Sequence, residues 1–127
     1  MTTWYAAHLI LYVKLKNHTQ RNYPIWENIV LIKARSEEEA FAKAEARGKE
    51  EEGDDGGTFR WAGKPARWVF AGVRKLTLCE DAEKRPDDGT EVSYTELEVD
   101  SEQAVRKLVR GQSVAVTYKD ECGESES

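Results

Sequence analysis

The chain opens on thirteen positions that alternate, and the alternation is apolar on both sides. From Trp4 to Lys16 one parity reads Tyr5, Ala7, Leu9, Leu11, Val13 and Leu15, which predicts a strand with that face on a core. The other parity reads Trp4, Ala6, His8, Ile10 and Tyr12 before Lys14 and Lys16. Two largely apolar faces predict a central strand, or one covered on its second face. A polar connection, Asn17 to Pro24, leads into a second alternating run through Arg35, read as a strand antiparallel to the first.

The period then changes. Ser36 followed three residues later by Glu39 is a capping box, in which the hydroxyl accepts from the Glu39 N–H and the carboxylate reaches back to the Ser36 N–H. Glu37 and Glu38 add negative charge where the helix dipole is positive. The stripe Ala40, Phe41 and Ala44 predicts a helix over about 37–48, with Gly48 placed as its C-cap and small side chains letting it lie close to a sheet. Gly53 to Gly57 reads as loop and Thr58 to Ala62 as a short strand. Ala66 to Glu80 holds a long strand with Trp68, Phe70, Gly72, Leu76 and Leu78 on one parity; Gly72 inside it signals a bulge or a close backbone approach. Asp88-Gly89 is a turn signal before a strand over Thr90 to Val99. Asp100 or Ser101 can cap a shorter helix over about 102–110, striped by Ala104, Val105, Leu108 and Val109, and Ser113 to Tyr118 alternates once more.

This order has too few strand–helix alternations for a doubly wound sheet. It predicts an α+β fold, an antiparallel β-sheet with both helices packed on it, as a single domain over 1–118 followed by an acidic disordered tail at 119–127.

Composition narrows the function classes. A net charge of −5, from 19 basic and 24 acidic residues, argues against a nucleic-acid binder, which must neutralise phosphates. The N-terminal apolar run is broken by His8 and Lys14, so neither a signal peptide nor a membrane span is expected, and cytoplasm is the natural location. Cys79 and Cys122 fit no metal spacing and make no disulfide framework.

Four blocks carry a resemblance: Trp4-Tyr5-Ala6-Ala7; Glu27-x-Ile29-x-Leu31-Ile32-x-Ala34-x-Ser36-x-x-x-Ala40-x-x-x-Ala44; Trp68-x-Phe70-x-Gly72-Val73; and Asp88-Gly89-Thr90-Glu91-Val92. In this order they resemble Domain of Unknown Function 4288, a group of small bacterial proteins, over roughly residues 4–94. The resemblance implies a fold and a bacterial cytoplasmic origin. It transfers no activity and no site residue, and it leaves 100–118 as a helix–strand extension beyond the family-like core.

The chemistry-bearing residues are few. Neither His8 nor His18 lies in a recognisable motif, so no catalytic residue is assigned and an enzyme is disfavoured. The run Glu50, Glu51, Glu52, Asp54 and Asp55 lacks the spacing of a calcium loop and reads as solvated charge; no metal and no cofactor are expected. Trp4, His8 and Tyr12 share one strand face, and Trp26 or Trp68 would complete an aromatic face opposite the helices if neighbouring strands contribute them. These five residues are the ligand or interface candidates. The leading reading is a non-enzymatic module that binds another protein, immunity-like, inhibitor-like or regulatory, with self-association as a homodimer open. The acidic balance suits a basic partner. The alternative is a small-molecule site on the aromatic face, and an enzyme with His8 or a carboxylate as general base ranks last.

Overall fold

The computed structural model describes residues 1–119, so the acidic tail beyond Lys119 and Cys122 lies outside the described residues. The chain divides into two compact units, Met1–Ser93 and a second beginning at Tyr94.

The first unit is an antiparallel sheet closed on one face by a helix. Its strands are β1 (Thr3–Leu15), β2 (Ile25–Ala34), β3 (Arg60–Trp61) and β4 (Lys64–Leu78), in the order β2-β1-β4-β3, and the helix is α1 (Glu37–Glu50). β1 lies inside the sheet, the first of the two arrangements its apolar faces predict. Tyr5, Ala7, Leu9 and Leu11 of β1 join Ile32 and Ala34 of β2 and Ala40 and Ala44 of α1 in the core, flanked by Val30, Trp68, Phe70, Val73 and Leu76.

Ser36 caps α1 as its spacing predicts. Its side chain accepts from Glu39 N–H at 3.1 Å, while the Glu39 carboxylate accepts from the Arg35 N–H at 2.8 Å, one residue before the Ser36 N–H expected of the box. That backbone bond, helped by the Arg35 and Lys43 charges, holds the Glu39 carboxyl below its ordinary range. The helix runs two residues past Gly48 and is capped by Glu51 instead. Gly48 serves the packing rather than the cap. It continues the buried stripe of Ala40 and Ala44, and Phe70 lies directly over it. Phe41, expected on that stripe, is 41% exposed. Helix and sheet therefore meet across three positions with almost no side chain between them.

β4 departs from simple alternation twice. Its pairing with β1 slips between His8 and Leu9 and again between Ile10 and Leu11, so Arg74 and Ala71 are extra residues opposite the partner strand. Gly72 stands between the two bulges at φ +150°, a backbone geometry that favours glycine. Together the bulges restore the pattern: Trp68 and Phe70 face the helix, and beyond the irregularity so do Val73 and Leu76. Plain alternation puts Val73 on the opposite face. One slip would have sent the rest of the strand's apolar residues away from the core.

The strand expected over Thr90 to Val99 is largely absent. Asp87 to Thr90 forms the turn, closed by Thr90 N–H to the Asp87 carbonyl at 3.0 Å, and Glu91 meets Glu80 through its carbonyl and N–H. Beyond that the segment has no ladder partner until β5 (Leu97–Glu98).

The second unit pairs β5 with β6 (Thr117–Tyr118) around α2 (Glu102–Val109). Ser101 caps α2, accepting from Ala104 N–H at 3.1 Å. Only Ala104 of the expected stripe is buried. Among the described residues no helix is long and apolar enough to cross a membrane.

Candidate functional site

The five candidates divide between the two faces of the sheet. Register decides it: Trp26 pairs with Leu11 and Trp68 with Val13, and both partners belong to the helix-side parity of β1. Trp4, His8 and Tyr12 belong to the other. They do not form one aromatic face.

On the helix side, aromatic rings gather beyond the end of α1. Trp26 meets Trp68 edge-on at 4.9 Å between centroids and Trp61 at 5.7 Å, and Phe59 stacks on Trp68 at 5.5 Å. The loop after α1 is tied down beside them. Gly53 and Trp68 exchange both backbone hydrogen bonds, Asp54 accepts from Gly57 N–H, and Lys16 pairs with the Asp54 carboxylate. That Lys16 hydrogen bond, followed by the Gly57 N–H, lowers the Asp54 pKa and keeps the carboxylate engaged within the loop. Asp55, the next residue, has φ +55° and is exposed. The result is a cleft of about 320 Å³ lined by Leu11, Trp26, Asn28, Glu51, Asp55 and Trp68. Arg47 lies 3.3 Å from Glu51 at its rim. Indoles and carboxylates lining one cleft are groups that suit a cation, which a ring quadrupole and negative charge attract together.

On the second face, Trp4 and Tyr12 have local partners: Lys33 Nζ sits 5.7 Å from the Trp4 ring, and Tyr23 meets Tyr12 edge-on at 5.8 Å. His8 is different. It is wholly buried, yet both ring nitrogens are engaged by polar side chains: Nδ1 by Glu27 Oε2 at 2.7 Å and Nε2 by Ser93 Oγ at 2.5 Å. The Arg74 guanidinium, delivered by the first bulge, stands 3.6 Å from the same Glu27 oxygen. Lys75, the cross-strand neighbour of His8, is also buried.

Comparison with known proteins gives one match. The family described as Domain of unknown function (DUF4288) covers residues 4–94 of the 127. The chain belongs to the DUF4288 family. No curated protein and no solved structure matches it. The DUF4288 segment ends one residue beyond the first compact unit, so the aromatic cleft and the His8 cluster both lie inside it.

Sequence reasoning missed four residues here. Glu27 and Ser93 stand out only as strand positions, and the cluster unites residues 19 and 85 positions from His8. Glu51 and Asp55 look like part of a solvated run. Only the cross-strand pairing β1–β2 could have brought Glu27 toward His8; nothing local marks Ser93. Among the described residues, no group of three or more His, Cys, Asp and Glu could hold a metal ion. The buried Cys79 is a poor nucleophile, since burial raises its pKa.

Proposed function

We propose that this DUF4288 protein is a binding module that takes a cationic side chain of a basic protein partner into the Trp26–Trp68 cleft. The observation that carries the reading is the cleft itself, lined by two indoles that meet edge-on together with Glu51 and Asp55. The net charge of −5 supports it, since an acidic surface speeds encounter with a basic partner. A cation entering the cleft competes with Arg47 for Glu51, so binding exchanges one exposed ion pair for another and leaves most of the affinity to the indoles. The test is a fluorescence titration with arginine amide and with tetramethylammonium. A saturable change in tryptophan emission is expected, weakened at high salt and lost in a Glu51→Gln/Asp55→Asn double variant. An uncharged tert-butyl compound giving the same response, or no response to either cation, would refute the reading.

Self-association has an observation of its own. β2 is the sheet's edge, a strand of 10 residues with Ile25 62%, Ile29 50% and Leu31 44% exposed. Long apolar edges seldom remain unpaired in soluble proteins. Edge-to-edge pairing of β2 with its copy predicts a two-fold dimer by light scattering, and Ile29→Lys is expected to return a monomer; a wild-type monomer at every concentration would exclude it.

A further inference from the structure

The cationic cleft makes no use of the second face of the sheet, and there the geometry points to a nucleophile. We infer that Ser93 is an activated serine, with His8 as its base and Glu27 as the residue that positions His8, able to accept an acyl or phosphonyl group from an activated ester.

The connectivity carries the inference. A carboxylate oxygen can only accept, so His8 Nδ1 carries the proton and donates it to Glu27 Oε2 at 2.7 Å. In the neutral ring Nε2 is then the lone-pair nitrogen, and the Ser93 hydroxyl, 2.5 Å away, is placed to donate to it. This is the tautomer and the order that serine nucleophiles need: hydroxyl to Nε2, Nδ1–H to carboxylate.

The three groups are also held as such a site requires. His8 lies on the central strand and Glu27 on its neighbour, where Ile10 is the cross-strand partner of Glu27, so base and carboxylate are fixed by the sheet. His8 is wholly buried, so its ring is held in place between Ser93 and Glu27. Ser93 is half-exposed and sits on the irregular segment after Glu91, so it presents its hydroxyl from a loop laid over a rigid scaffold. Arg74 beside Glu27 balances the carboxylate's charge and limits the directions in which it can turn.

In the step itself, Ser93 Oγ attacks the carbonyl carbon while its proton passes to His8 Nε2. The C–O bond to the leaving group then breaks, and that oxygen takes the proton from Nε2. Water attacks the resulting acyl-serine, again giving a proton to His8, which returns it to Ser93 Oγ. The balance is ester plus water to acid plus alcohol, with no redox change. Glu27 holds its hydrogen bond to Nδ1 throughout and takes no proton. With a fluorophosphonate, the P–O bond forms, the P–F bond breaks, and the serine proton leaves as HF.

The decisive experiment treats the full chain with a fluorophosphonate probe and maps the adduct by intact mass and peptide sequencing, alongside p-nitrophenyl acetate turnover. One adduct, on Ser93, is expected, absent in Ser93→Ala and absent when the chain is unfolded in urea. Glu27→Gln keeps an oxygen acceptor near Nδ1 and is expected to slow labelling about a hundredfold, within the range general-base catalysis spans; Glu27→Asp is expected to recover part of the rate. Melting curves of these variants, measured in parallel, separate lost positioning from lost fold. No adduct on folded wild type, labelling spread over several serines, or Ser93 labelling that survives urea would overturn the inference. So would a Glu27→Gln variant that folds and labels at the wild-type rate. The cleft reading is unaffected by any of these results, since its residues lie on the other face.

Discussion

Replacing His8 by alanine is expected to lower the stability of the fold by about 2–5 kcal/mol, the range found when a large, wholly buried side chain is cut back to alanine. Two losses combine. The imidazole is the largest polar group among the wholly buried side chains, so its removal from the central strand leaves a cavity beside Ile10 and Lys75. It also strips Glu27 and Ser93 of their shared partner, leaving the half-buried Glu27 carboxylate with Arg74, 3.6 Å away, in place of the hydrogen bond at 2.7 Å. Glu27→Ala is expected to cost less, about 1–3 kcal/mol, because Glu27 is 23% exposed and its removal opens no cavity in the central strand, although Arg74 loses its carboxylate neighbour. Urea denaturation of the two variants checks the ordering. A His8→Ala protein within about 1 kcal/mol of wild type, on the same scale, would mean that the cluster bears little on the fold.

Gly48→Ala is expected to destabilise by about 1–3 kcal/mol although it improves the helix. Alanine in a helix interior is favoured over glycine by roughly 1 kcal/mol, so propensity alone predicts a gain. The packing opposes it: a Cβ at position 48 would lie 2.2 Å from Cε1 of Phe70 and 2.5 Å from two more ring atoms. Phe70 cannot swing aside freely, since it packs against the core formed by Leu9, Leu11 and Ala44. Either the ring leaves its rotamer or α1 lifts from the sheet, and lifting would also open the Ala40 and Ala44 positions. A double-mutant cycle with Phe70→Leu isolates the effect: in the Phe70→Leu background the alanine should become neutral or stabilising. A thermal melt in which Gly48→Ala alone raises Tm would show that the helix seat is looser than the contact distance implies.

Both predictions arise at places where the linear pattern is silent. Gly48 is legible as a helix terminator because glycine past a stripe commonly is one; that it is instead the third small residue of the seat depends on where Phe70 arrives from β4. The aromatic candidates show the same division. Residue types and strand positions of Trp4, His8, Tyr12, Trp26 and Trp68 are readable from alternation, and the parity of Trp4, His8 and Tyr12 follows from β1 alone. Which face Trp26 and Trp68 share depends on register between strands, and in β4 also on bulges at Ala71 and Arg74 that only Gly72 hints at.

By itself the sequence determined what local chemistry can determine: the capping box at Ser36, the start of both helices, the two apolar faces of β1, the turn around Gly89 and the α+β class. Each rests on interactions within a few residues or on a strict period of two or 3.6. Tertiary structure alone decided that β4 slips twice and so returns Val73 and Leu76 to the core. It also decided that Gly48 seats the helix and that Trp26 and Trp68 open a cleft with Glu51 and Asp55. The alignment of Ser93, His8 and Glu27 arises in the same way. The physical reason is common to all four: each depends on the register between segments distant in sequence, and a one-residue slip changes the face without changing any local preference.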